Sequence, residues 1–258
     1  MPFTTVQGVR HEVQAIPGPM DKAPLVFLHE GLGSVAMWQT RAGDWPAQVC
    51  GATGRAGWVY SRRGYGQSDA IPDVRGANRL QPDYMHQEAW QVLPALLHAW
   101  GVANPVLVGH SDGGSIALLH AAQFPVTACI VMAPHLMVEV KSVQAIKAAR
   151  VAFETTDLRE RLQRYHADVD SAFWQWNDVW LSQGFTSFDI HQACLQITAP
   201  VLAMQGVDDA YGTLRHIDDL HTAGSVQREV LAACGHSPYR DQAEVSLRLM
   251  ADFLQAMA

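Results

Sequence analysis

Ser111, His236 and one of two neighbouring aspartates, Asp208 or Asp209, are the residues whose types and order point to chemistry. Ser111 lies in Gly109-His110-Ser111-Asp112-Gly113, a G-x-S-x-G pattern. A free serine hydroxyl is a weak nucleophile. It needs a base within hydrogen-bond reach, and the base needs an acid to orient it. Small residues two places either side of the serine let a strained turn pack and expose the hydroxyl. A helix starting just after the serine aims its first N–H groups at a developing oxyanion. A serine of this kind expects Asp or Glu next along the chain and His after that. "MQGVDDAYGT" and "CGHSP" supply them in that order. The residues by themselves leave the acid open between Asp208 and Asp209.

The elements that must position these groups follow from hydrophobic periodicity. "PLVFLHE" (24–30), "GWVYSRRG" (57–64), "PVLVGHS" (105–111), "ACIVMAP" (128–134), "APVLAMQG" (199–206) and "REVLAAC" (228–234) are apolar runs of strand length. Residues 3–16 hold one or two edge strands. Between the strands lie helical patterns, including residues 82–101, kinked at Pro94, "DGGSIALLHAAQF", "TLRHIDDLHTA" and "QAEVSLRLMADFLQAM". Strand–helix alternation predicts an α/β, doubly wound, mostly parallel sheet covered on both faces. Such sheets bind ligands outside the carboxyl ends of their strands, where the Gly, His, Ser and Asp residues collect. From Val138 to about Phe185 the pattern is helical with no strand. The expected domains are therefore a core of residues 1–134 and 192–258, with a helical cap insertion of residues 135–191 over the same end of the sheet.

"LHEGLGS", "YSRRGYGQSD", "GHSDGG" and the pair "QGVDD"/"CGHSP" together resemble the α/β-hydrolase fold family along nearly the whole chain. The resemblance implies a Ser111–His236–Asp209 triad, since the family's acid strand usually ends G-x-x-D. It also implies an oxyanion hole built from the amide of Asp112 and that of Gly31 or Leu32. This chain departs from the family in having Glu30 after His29, where glycine is usual. A carboxylate there opposes a developing negative charge if it points inward. Either Glu30 points away and pairs with a group such as Arg62 or Arg63, the arrangement charge favours, or it takes a substrate role. Ser61 stands where an aspartate often precedes R-G-x-G-x-S, and that loop is expected to be structural.

Phe173, Trp176 and Trp180 share a helix face and are expected to pack the cap on the core or to line an apolar pocket. His135, Met37 and Trp38 are further pocket candidates. The implied activity is a cofactor-free serine hydrolase acting on a small to medium, largely apolar ester or lactone. C–C bond hydrolysis of a vinylogous diketone, perhydrolase chemistry and ligand sensing without turnover all use the same site.

Composition narrows the partners. The chain has 258 residues, 48% hydrophobic and 17% charged, with net charge −7, which disfavours nucleic acid and anionic lipid. Residues 1–15 lack the pattern of a signal peptide, and no apolar run is long enough to span a membrane. A cytoplasmic protein with a small-molecule substrate is expected, and the apolar cap helices could serve a homodimer. Cys50, Cys129, Cys194 and Cys234 have no metal or redox spacing, and no H-x-x-x-H pair occurs among the histidines, so no metal is expected.

Overall fold

Residues 2–19 and 21–257 are described by the structure, a computed structural model; Met1, Met20 and Ala258, which fall in the expected core segments, lie outside them. Eight strands form the main sheet: β1 (Phe3–Val6), β2 (Val9–Ile16), β3 (Leu25–Leu28), β4 (Gly57–Tyr60), β5 (Val106–His110), β6 (Ala128–Met132), β7 (Val201–Gly206) and β8 (Val226–Leu231). Their order is β1-β2-β4-β3-β5-β6-β7-β8. The pairs β1/β2 and β2/β4 are antiparallel and all others parallel. β1 and β2 are the expected edge strands, joined through Gln7 and Gly8, both at positive φ, as a tight two-residue hairpin requires.

The helices of eight or more residues are α1 (Trp45–Thr53), α2 (Leu93–Trp100), α3 (Asp112–Ala121), α4 (Val140–Thr155), α5 (Val169–Trp180) and α6 (Ala243–Gln255). Successive strand residues point to opposite faces of the sheet. Phe27, Val108, Ile130 and Met204 pack with Trp45 and Val49 of α1 and Phe253 of α6. Val26, Leu107, Cys129 and Ala203 pack with Leu93 and Leu96 of α2 and Ile116 of α3. Phe173, Trp176 and Trp180 of α5 belong to this second cluster, so the insertion's apolar face is continuous with the core.

Three elements differ from the expected ones. The helix over residues 82–101 is an α-turn, a π-helical segment at Glu88–Val92, and then α2. Pro94 has no N–H to offer the Trp90 carbonyl, and the widened turn falls just before it. The stretch after β7 is helical only over Arg215–Asp218, and the Arg228 guanidinium binds the carbonyls of Ile217 and Leu220 at and beyond its end. The insertion contains α4, a short helix at Leu158–Leu162, α5 and a 3-10 turn at Gln183–Ser187. It also holds a single β-bridge, Met137 to Asp189, where the chain leaves and returns. Among the described residues no helix is long and apolar enough to cross a membrane.

The β5–α3 turn depends on two glycines. A Cβ on Gly113 would overlap the Leu28 carbonyl, and one on Gly109 would overlap the Gly113 carbonyl. Both obstacles are backbone and cannot swing aside. Gly113→Ala is expected to lose about 3 kcal/mol in urea unfolding. Gly51→Ala, in α1 with open space at the Cβ position, should be neutral or slightly stabilising. Equal midpoints for Gly113→Ala and wild type would show that α3 does not need this approach.

Candidate active site

Ser111 joins β5 to α3 with φ 53° and ψ −119°. This is a region that L-residues rarely adopt and that costs about 1–3 kcal/mol. The turn is held by the Ser111 amide, which donates to the Met132 carbonyl at 2.9 Å. The Ser111 carbonyl accepts from the amides of Gly114 at 2.8 Å and Ser115 at 3.0 Å. The consequence is a side chain projecting from the carboxyl end of the sheet toward His236.

His236 Nε2 lies 2.9 Å from Ser111 Oγ, and Nδ1 lies 2.9 Å from each oxygen of Asp209. A carboxylate at Nδ1 keeps the proton on that nitrogen, so Nε2 presents its lone pair to the serine hydroxyl. Asp209 is buried, whereas Asp208 is exposed. Burial works to raise the Asp209 carboxyl. The bond from His236 and those from the amides of Tyr211 and Gly212 outweigh it and hold it below the ordinary value. Gln205 Nε2 adds a further bond to the same carboxylate at 2.5 Å. The acid left open between two residues is thus the one that faces His236.

A cavity of about 160 Å³ covers the serine. Glu30, Gly31, Leu32, Asp112, His135, Trp176 and Trp180 line it with Ser111 and His236. The amides of Gly31, Leu32 and Asp112 donate to no protein acceptor among the described residues. Trp176 packs so closely on Gly31 that a Cβ there would strike the indole. Trp180 Nε1 donates to Tyr84 Oη at 3.0 Å and lies 3.3 Å from Asp112 Oδ1.

One expectation fails here, and Glu30 has a partner other than the two arginines named. Met37 and Trp38 do not line this cavity. The 3-10 turn Val35–Trp38 directs Trp38 into the α1/α6 face, where it stacks on Trp45 at 5.9 Å and leans on Tyr239 at 4.8 Å. The Met37 carbonyl accepts from Arg240 Nη2 at 2.7 Å. Glu30 does not pair with Arg62 or Arg63 through its carboxylate. The Arg62 fork is taken by the carbonyls of His29 (2.6 Å) and Glu30 (2.9 Å), with Asp112 at 3.9 Å. The Glu30 carboxylate instead meets His110 Nδ1 at 3.2 Å, while His110 Nε2 meets the His236 carbonyl at 2.7 Å. Both nitrogens of His110 therefore face oxygen, which calls for a proton shared within the pair, and the two groups titrate as one unit. Burial opposes ionisation of Glu30, but His110 and then Arg240 outweigh it and keep the carboxyl below its usual value.

Sequence reasoning passed over Tyr211, Ile146 and Ser237, which complete the cavity wall, and Glu12. The Tyr211 ring lies 4.7 Å from that of His236. Its position two residues beyond Asp209 was the available signal. Glu12, on β2, supplies the carboxylate that Ser61 lacks, accepting from Ser61 Oγ at 2.7 Å and the Gln67 amide at 3.0 Å. No local pattern marks it, because it arrives from another strand. Arg63, Gly64 and Ser68, in the loop expected to be structural, lie outside this cavity.

Comparison with known proteins gives a consistent picture. The alpha/beta hydrolase family model matches residues 25–248. No curated protein sequence matches the chain. Among solved structures, a carboxylesterase structure from the thaumarchaeon Nitrososphaera gargenis superposes with TM-score 0.76 at 17% identity, covering 99% of this chain and 98% of that one. The enol-lactonase of Burkholderia xenovorans LB400 gives TM-score 0.73 at 19% identity, with 98% and 100% covered. The meta-cleavage product hydrolase of Pseudomonas fluorescens IP01 gives 0.73 at 14%, with 100% and 98% covered. At such identities the likeness is one of fold.

Several buried histidines frame the site in the neutral form. His29 Nδ1 donates to the Glu30 carbonyl and Nε2 accepts from the Arg62 amide. His166 Nδ1 accepts from the Gly66 amide and Nε2 donates to the Leu32 carbonyl. Burial lowers His29 and His135 well below 6.5 and His166 to about 4. As pH falls below 6.5, the unfolded chain takes up protons that the folded chain refuses, so stability falls. For His166 alone the loss approaches about 3 kcal/mol by pH 4. Chemical denaturation across pH 4.5–8 should show a plateau above about pH 7 and a decline below 6.5. A free energy of unfolding that rises on acidification from pH 7 to 5 would refute this account.

Proposed function

The chain belongs to the alpha/beta hydrolase family, and we propose that it is a serine hydrolase of small to medium, largely apolar carboxylic esters or lactones. The observation that carries the reading is the unbroken chain of hydrogen bonds from Asp209 through His236 to Ser111 Oγ. His236 Nε2 takes the hydroxyl proton as Oγ bonds to the carbonyl carbon. Asp209 stabilises the imidazolium that results. The carbonyl oxygen, now an oxyanion, is received by the amide of Asp112 and that of Gly31 or Leu32. Collapse expels the alkoxide, which takes the proton from His236. Water, deprotonated by the same nitrogen, then attacks the acyl-enzyme and releases the acid and Ser111.

The helical insertion acts as a cap in this reading. Trp176, Trp180, Ile146 and Leu32 make the cavity largely apolar, and its volume suits a short acyl or aryl group better than a long chain. The activities named for two proteins of similar fold, a carboxylesterase and an enol-lactonase, are the same acyl transfer on open and cyclic substrates.

Intact-mass analysis after fluorophosphonate treatment, beside turnover of short-chain and aryl p-nitrophenyl esters, tests this. Wild type should gain one adduct and turn over the esters. Ser111→Ala should gain none and lose about 10⁴-fold or more in kcat. Asp209→Asn should fall about 10³–10⁴-fold, with Asp208→Asn near wild type. Labelling without ester turnover would point away from esters to C–C cleavage or sensing. Absence of labelling in folded wild type would sink the nucleophile assignment.

A further inference from the structure

A second cavity, of about 350 Å³, shares no lining residue with the one over Ser111. Its walls come from the β1–β2 turn, the loops after β4, the helical segment before α2, and Gln175 of α5. Val6, Val9, Ile71, Leu80 and Val92 make part of the wall apolar. The rest carries Arg62, Arg63 and Arg79, an unusual gathering of cations in a chain of net charge −7.

Two of the three cations, Arg63 and Arg79, are exposed and have no close carboxylate of their own. Arg62 faces Asp112 at 3.9 Å and is compensated. Arg63 makes no ion pair or side-chain hydrogen bond among the described residues. Arg79 donates to the Asp178 carbonyl at 3.4 Å but reaches its carboxylate only at 4.0 Å, and that carboxylate already holds Arg75 at 2.8 Å and Arg150 at 2.7 Å. The one carboxylate lining the cavity, Glu88, accepts from Tyr60 Oη at 2.8 Å. Gln175, 2% exposed, closes the wall on the side of α5.

We propose that this cavity is a binding site for an amphipathic carboxylate, separate from the Ser111 site. The carboxylate sits on Arg63 and Arg79, whose planar forks match its two oxygens. The apolar body lies against Val6, Val9, Leu80 and Val92. This assignment does not depend on the activity at Ser111. Arg62 is left unaltered in the test, because it holds the backbone of the loop carrying Gly31.

The test is calorimetric titration of the full chain with 1-naphthoate and with its neutral counterpart, 1-naphthamide. Naphthoate should saturate a site on wild type, and naphthamide should bind it at least about tenfold more weakly. The double substitution Arg63→Gln, Arg79→Gln should weaken naphthoate by at least about tenfold while keeping the wild-type melting midpoint. If that variant does not fold, Leu80→Trp, which fills the cavity and keeps both charges, is held to the same loss. Three results overturn the proposal: no saturation by naphthoate, equal affinity for naphthamide, or undiminished binding in the variant. In the last case the anion sits elsewhere, the Ser111 cavity included.

Discussion

The backbone of Ser111 is the constraint around which the rest is built. At φ 53° and ψ −119° it sits outside the regions that L-residues favour, and such a conformation persists only where its surroundings over-determine it. Strand register supplies the first restraint, since His110 pairs with Met132 and the next amide continues that ladder. Glycine supplies the second, because α3 enters directly beneath the Leu28 carbonyl at Gly113. α3 is buried along its whole length, so the turn cannot relax without moving a helix out of the core. Backbone strain here is the means by which a hydroxyl is carried to the sheet's edge and kept there.

Around that turn, loops from distant parts of the chain are joined by buried polar groups rather than by apolar packing alone. Arg62 ties the loop after β4 to the carbonyls of the loop after β3. Glu12 ties the same loop to β2 through Ser61. His166 spans from the Gly66 amide to the Leu32 carbonyl and so links the insertion to both loops. On the far side, His216 Nδ1 accepts from the Leu136 amide, and Glu139 accepts from Thr213. Unmade, each of these bonds would leave a buried group unsatisfied at a cost of about 1–3 kcal/mol. The insertion is therefore fixed by directional contacts at both ends, which sets how Trp176 and Trp180 stand over Ser111.

What was legible in the sequence is what depends on local order. The nucleophile pattern, the later Asp and His, and the strand–helix alternation all follow from short-range chemistry. Burial then separates Asp209 from Asp208, a distinction that two adjacent aspartates cannot carry in their types. Groups that meet across the fold were not legible. Glu12 reaches Ser61 from 49 residues away, and His110, inside the recognised motif, turns out to hold Glu30. Trp38 follows the loop of Gly31 and Leu32 closely enough to suggest the pocket. A single 3-10 turn sends it into the opposite face of the core instead. Pocket membership depends on such turns, which composition does not specify.

Glu30 and Asp112 bring two carboxylates to a site where the proposed chemistry develops a third negative charge. Their partners make this workable. Burial raises the Asp112 carboxyl, with Arg62 and the Tyr84 hydroxyl offsetting part of that rise, and Tyr84 Oη donates to it at 2.6 Å. The carboxylate is thereby engaged by Tyr84, Trp180 and Arg62, while its own amide remains without a protein acceptor. Glu30 is drawn in the same way to His110. Each acidic side chain has a buried polar partner, so the backbone N–H groups, not the carboxylates, are the nearest unsatisfied polar groups offered to an oxyanion. Positive charge at Arg62 further offsets the field of the two acids, and it does so in a setting where little water screens either sign. The departure from glycine at position 30 is thus compatible with the proposed acyl transfer because the histidine one residue before Ser111 engages the added carboxylate and draws it from the Gly31 and Asp112 amides.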